Sequence, residues 1–207
     1  PPEAPQSQPY PIVTAPQPET ADPGWTGLTD IAGHWAAVDI AYLVEKGIMA
    51  GYPDRTFRPE APVTRAESAA IMVNAFDLGP GTGPVFDDTW SHWGQAHIEA
   101  VSGLGIMVGY GEHLFGPDQP ITREQIASVL WRYAQLKEYD VSVGEDTNIL
   151  SYTDAFDIAE YAIPALQWAC GAGIMQGRTE STLVPAGSAS RAETAVILTR
   201  FLEKTVR

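Results

Sequence analysis

Three arginines occupy one repeated setting, "TRAE" at 64–67, "TREQ" at 122–125 and "SRAE" at 190–193. In each tetrapeptide a hydroxyl residue is followed three positions later by Glu or Gln: Thr64 with Glu67, Thr122 with Gln125, Ser190 with Glu193. That spacing is the capping box of a helix N-terminus. The hydroxyl accepts from the third helical amide, the third side chain reaches back to the cap amide, and each cap contributes about 0.5–2 kcal/mol. The arginines, Arg65, Arg123 and Arg191, are left without a reason. At the first helical position a cation meets the positive end of the helix dipole, which disfavours it by roughly 0.3–1 kcal/mol. A helix start with free amides attracts anions, and a guanidinium adds a bidentate grip on a carboxylate. An anion is therefore expected beside each arginine.

Two sources could supply it. Asp30, Asp88 and Asp154 recur at the head of each repeated segment and could form internal salt bridges with the arginines. A ligand carboxylate held in a groove between neighbouring segments would serve equally well. The residue pattern alone leaves both open, and with them two roles: a module that binds an anionic ligand, or a structural or protein-interaction scaffold in which the arginines only hold the repeats together.

Other chemistry is poorly provided for. Cys170, in "LQWACGAG", is the single cysteine, which excludes an intrachain disulfide, a redox pair and a multi-cysteine zinc site, and its apolar neighbours read as helix packing. His34 and His92 precede Trp35 and Trp93, but Glu160 replaces them in the third segment, so they read as capping or packing residues and no metal site is expected. The loop acids Asp54, Glu112 and Glu180 fall far short of a calcium-binding loop. Trp35, Trp93, Trp131 and Trp168 could stack on sugar rings, yet read more naturally as core, whereas Trp25 and Trp90 are freer to meet a partner. Carboxylates for glycoside hydrolysis are numerous, but Glu67 and Glu193 are already assigned to caps. No nucleophile elbow, phosphate loop or cofactor motif is present, so no enzyme is expected.

The elements that position the arginines follow from self-comparison. Segments 28–76, 86–134 and 152–202 align at Gly47, Gly105 and Gly173, at Gly51, Gly109 and Gly177, and at Pro59, Pro117 and Pro185. Each reads as helix, loop, helix. In the first helix Val38, Ala41, Leu43 and Val44 recur at helical spacing, and Gly47 supplies the left-handed stop. Pro164 suits only the opening turn of its helix. The shared "GIM" leads inward, and Phe57, Phe115 or Leu183 closes the loop before the second helix. One segment is too small to bury its apolar face, so three must cover one another. The expectation is an all-α body over 27–207, three helix-loop-helix repeats around a pseudo-threefold axis.

Residues 1–26 carry eight of the 17 prolines and no Lys or Arg, which predicts an extended, polyproline-like linker. Docking of Tyr10, Ile12 and Val13 on the folded part is the lesser alternative. With 26 acidic residues against 12 Lys and Arg, and a net charge of -14, nucleic acid and anionic lipid are disfavoured as partners. No apolar run is long enough to insert in a membrane. The start at Pro1, without a leader, reads as a mature piece or excised module with a passenger domain upstream.

The "D" and "HW" openings, "GIM-x-G", the loop aromatic with proline, and "TRAE", repeated over residues 28–202, resemble the S-layer homology (SLH) domain family. The resemblance implies a spindle of three helical repeats at a bacterial cell surface. It also implies a noncatalytic anchor to secondary cell wall polysaccharide, typically through a pyruvylated amino sugar whose carboxylate would be the missing anion. Carried over by position, Arg65, Arg123 and Arg191 match the motif arginine, and Gly47, Gly105 and Gly173 are secondary candidates for backbone contact with the sugar. The third repeat departs from the pattern: Tyr161 replaces the tryptophan and "GRTESTLVP" replaces the aromatic loop.

Overall fold

The computed structural model describes residues 27–111 and 113–206. The proposed linker, with Trp25, and the loop acid Glu112 therefore lie outside the described residues. The architecture is all-α: α1 (Ala37–Glu45), α2 (Arg65–Phe76), α3 (Gln95–Gly103), α4 (Arg123–Leu136), α5 (Ile163–Gly171) and α6 (Arg191–Lys204). These are three consecutive helix-loop-helix pairs. No β-sheet forms among the described residues, where extended segments meet only as isolated bridges.

The first helix of each pair ends as its glycine requires. Gly47, Gly105 and Gly173 have φ of 69°, 70° and 65°. The Gly47 amide donates to Val44 and the Ile48 amide to Leu43, and equivalent pairs close α3 and α5. This is the Schellman arrangement, in which the left-handed residue turns the next one inward. Ile48 and Met49, Ile106 and Met107, and Ile174 and Met175 accordingly enter the core. Pro164 lies in the first turn of α5, where its missing amide costs nothing. Within α1 the buried face is Ile40 and Leu43. Val38, expected on that face, is 78% exposed, because two positions before Ile40 is nearly the opposite side of a 3.6-residue helix.

The second helices begin at the quoted tetrapeptides. All three capping boxes are complete: Thr64, Thr122 and Ser190 accept from the amides of Glu67, Gln125 and Glu193, whose side chains accept from the cap amides.

The repeats are joined in a ring. Helix α2 packs on α3, α4 on α5, and α6 on α1. Just ahead of each second helix, Val63 donates to Ala189, Ala189 to Ile121, and Ile121 to Val63, so three strand-like segments from three repeats close on one another. Phe57, Phe115 and Leu183 are buried in the core. At one end of the core Phe76 stacks on Tyr133 at 3.8 Å, and the Phe201 ring meets both edge-on. The second connector supplies a 3-10 turn, Ser142–Gly144, that packs on α5. Burying the apolar face of each pair against the next explains why no pair stands alone.

Candidate functional site

Arg65, Arg123 and Arg191 are buried, at 4%, 3% and 6% exposure, and each crosses into the following repeat. Arg65 Nε donates to the Phe115 carbonyl at 2.9 Å and Nη2 to Val108 at 2.7 Å. Arg123 does the same with Leu183 at 2.9 Å and Gln176 at 2.6 Å. Arg191 closes the ring onto the first repeat, through Phe57 at 2.8 Å and Ala50. Aromatic faces cover two of the guanidiniums: Tyr110 and Phe115 at 4.4 Å from Arg65, and Tyr52 and Phe57 at 5.1 and 4.3 Å from Arg191. Burial pulls the pKa of all three downward, although arginine stays protonated.

The three aspartates that could have paired with them bond elsewhere. Asp30 accepts the amides of Phe57 and Arg58, Asp88 those of Phe115 and Gly116, and Asp154 those of Leu183 and Val184. Each aspartate thus fixes the loop of its own repeat, whose carbonyls then receive the arginine. The helix starts are not open anion sites either. The Arg65 and Ala66 amides donate to Gln119 and Pro117, those of Arg123 and Glu124 to Gly187 and Pro185, and those of Arg191 and Ala192 to Ala61 and Pro59. With the third amide held by the cap, the orphan donors of each helix are already satisfied. The mismatch between cation and dipole is relieved first by carbonyl oxygens.

The remaining guanidinium edge, Nη1, distinguishes the three positions. Arg123 Nη1 lies 2.9 Å from Glu193 Oε1. Arg191 Nη1 lies 3.9 Å from Glu67 Oε1, beyond hydrogen-bond length. Beside Arg65 the equivalent capping residue is Gln125, and no carboxylate of the described residues stands within salt-bridge distance. A cavity of about 330 Å³ opens there, lined by Arg65, Val108, Tyr110, Gln125, Arg132 and Tyr161 among others. It draws on all three repeats and contains a second cation. The Tyr161 hydroxyl donates to Glu124 at 3.3 Å, and its pKa is pushed up to about 12 by burial and by that carboxylate.

Gly47 and Gly105 have open space where a side chain would be, whereas a Cβ on Gly173 would meet Lys204 Nζ. Their visible task is to end helices. At the Arg65 cavity the lining glycine is Gly109. Sequence reasoning did not single out Gly109, Tyr110, Ser128 or Arg132 as site residues. A signal existed for one of them, because Tyr52 and Tyr110 hold matching positions that the third repeat fills with Arg178.

His34 and His92 accept the amides of Ala36 and Gly94 through Nδ1, and their Nε2 atoms meet Glu60 and Asp118. They shape the entries to α1 and α3. Trp168 is buried, while Trp93 and Trp131 are half-buried against the core. Trp35, read as core, is 63% exposed because it lies in the turn before α1 rather than on the helix face. The Cys170 thiol is pushed up to about 11 by burial, as a packing residue would be. Among the described residues no cluster of His, Cys, Asp and Glu could hold a metal, and no helix is long and apolar enough to cross a membrane.

A ring of helical repeats with cations buried at its junctions, Arg65 facing a cavity, defines an all-α repeat module. Residues 27–69, 85–127 and 151–195 match the S-layer homology domain, together more than half of the sequence, and the chain belongs to that family. It is 31% identical over 86% of its length to an amylopullulanase of Thermoanaerobacterium thermosulfurigenes, covering 10% of that protein. An S-layer protein of Bacillus licheniformis is 38% identical over 52% of the chain, 12% of the relative. A cellulosome-anchoring protein of Acetivibrio thermocellus is 50% identical over 31% of the chain, 14% of the relative. The chain thus spans only about a tenth to a seventh of these relatives.

Proposed function

We propose that this chain is a noncatalytic cell-surface anchoring module. It binds secondary cell wall polysaccharide in the clefts between repeats, taking the carboxylate of a pyruvylated amino sugar at Arg65, Arg123 and Arg191. The observation that carries this reading is Arg65, a buried guanidinium without a carboxylate partner among the described residues, beside a cavity large enough for a sugar ring. In so acidic a chain, a cavity lined by Arg65 and Arg132 is a local exception to the overall charge. Tyr110 and Tyr161 offer ring faces for sugar stacking, and Gln125 and Ser128 offer polar contacts. Gly47, Gly105 and Gly173 retain a secondary role through their backbone.

The relatives support a non-enzymatic part. Stretches of this chain match proteins named as an amylopullulanase, S-layer proteins and a cellulosome-anchoring protein, which fits a part that they share rather than the source of their differing activities. We assign the repeats 28–76, 86–134 and 152–202 to one anchoring unit, displayed outside a bacterial cell at the wall or S-layer, with residues 1–26 as its linker to a passenger domain. Clefts acting on one polymer would raise avidity through effective concentration.

The test is binding of the module to purified wall polymer before and after chemical removal of pyruvyl groups. Binding should be lost with the ketal. Equal binding to both polymers would overturn the ligand chemistry.

A further inference from the structure

We infer that the three clefts differ in whether they carry their own counter-ion, and that the cleft of Arg123 is shut by Glu193. The inference rests on the anchoring function proposed above and assigns the work among its sites. Each arginine faces the third helical residue of the next repeat, which belongs to that repeat's capping box. The residue is Gln125 for Arg65, Glu193 for Arg123 and Glu67 for Arg191.

Glu193 is saturated. Its Oε1 accepts from Arg123 Nη1 at 2.9 Å and from Arg178 Nε at 2.8 Å. Its Oε2 accepts from Arg178 Nη2 at 2.8 Å and from the Ser190 amide at 2.9 Å. Arg178 is anchored in turn by the Ser188 carbonyl at 2.6 Å. A bidentate guanidinium thus holds the carboxylate against Arg123, and all three guanidinium nitrogens of Arg123 have partners inside the protein. An external carboxylate must displace Glu193 from two cations at once. Arg178 occupies the position that Tyr52 and Tyr110 fill in the other repeats, so the residue that locks the carboxylate also removes the aromatic face.

The Arg191 cleft is intermediate. Glu67 stays on its cap at 2.8 Å and reaches Arg191 only at 3.9 Å, with Tyr52 present. The Arg65 cleft is open, because the amide of Gln125 completes the capping box without bringing a negative charge. Its side-chain nitrogen turns to Tyr110 Oη at 3.2 Å. Among the described residues no carboxylate pairs with the cation in this cleft, and Arg132 adds a second one. Affinity for a carboxylate-bearing sugar is therefore ordered Arg65, then Arg191, then Arg123.

Calorimetric titration of the full chain with a soluble pyruvyl-ketal amino-sugar glycoside tests this order. Gln125→Glu retains a capping side chain of the kind found in the other two repeats, so the helix start is preserved. It should weaken the strongest site about tenfold or more. Glu193→Gln combined with Arg178→Tyr, which copies the second repeat, should add binding stoichiometry. Unchanged affinity in Gln125→Glu, or no added site in the double variant, would overturn the inference while leaving the ligand assignment intact. No binding by the unaltered chain would overturn the anchoring reading, and this one with it.

Discussion

Arg123 and Glu193, 70 residues apart in sequence, meet at 2.9 Å across the junction of the second and third repeats. Burial alone would raise the Glu193 pKa. Hydrogen bonds from Arg178 and the Ser190 amide, with the charges of Arg123 and Arg178, outweigh it and hold the carboxyl below its ordinary 4.5. A depressed folded pKa stabilises the fold fully above the unfolded value and loses that contribution as pH falls through the folded value. The melting temperature is therefore expected to fall as pH drops below about 4.5, and Glu193→Gln should flatten part of that slope. Thermal melts of both proteins from neutral to acid pH check this; superimposable differences at every pH would contradict it.

Replacing an arginine removes a contact that holds the repeats together as well as a cation that could meet a ligand. Each arginine holds two backbone carbonyls of the next repeat, so Arg191→Ala should cost about 2–4 kcal/mol by stranding buried acceptors. Urea unfolding measures the loss. A change below about 0.5 kcal/mol would show that the carbonyls find other partners.

Val184 is a β-branched residue at φ 54°, where the second repeat has Gly116 at φ 72°. Left-handed geometry is strained for such a side chain, and the Asp154 carboxylate holds it there through the Val184 amide at 2.7 Å. Val184→Gly should raise stability by about 0.5–1 kcal/mol, read as a higher melting temperature. A lower one would mean that Val184 packing outweighs the strain.

Asp88 accepts the Phe115 amide at 2.8 Å and the Gly116 amide at 2.6 Å, shaping the loop that receives Arg65. Asp88→Ala should destabilise by about 1–3 kcal/mol and weaken sugar binding at that cleft, because two donors are stranded and the carbonyls of the loop shift. Denaturation and titration of the same variant report both effects; intact binding would separate loop geometry from the site.

Cys170, with its thiol pushed up to about 11 by burial, should react with a disulfide reagent at neutral pH far more slowly in the native chain than in denaturant. Equal rates would place the sulfur at the surface.

Some of this was legible locally. Thr64 and Glu67, or Gly47 and Ile48, are neighbours along the chain, and their geometry follows from hydrogen bonds spanning a few residues. The starts of the second helices, the stops of the first and the inward "GIM" therefore stand where the sequence puts them. Val38 and Trp35 show the margin of error, since periodicity does not say which face meets a neighbour or where the first turn begins.

By itself, then, the sequence determined three helical pairs, their caps, their shared core and the three positions that place a cation at a helix start. The tertiary structure decided what each cation faces. Arg65 looks onto Gln125 and a cavity, Arg191 onto a distant Glu67, and Arg123 onto a Glu193 clamped by Arg178. Those partners come from the next repeat, and a capping residue shows its charge to a neighbour only once the ring has closed. Short-range hydrogen bonding writes the helix into the sequence, whereas the electrostatics of a junction exist only between segments that folding brings together.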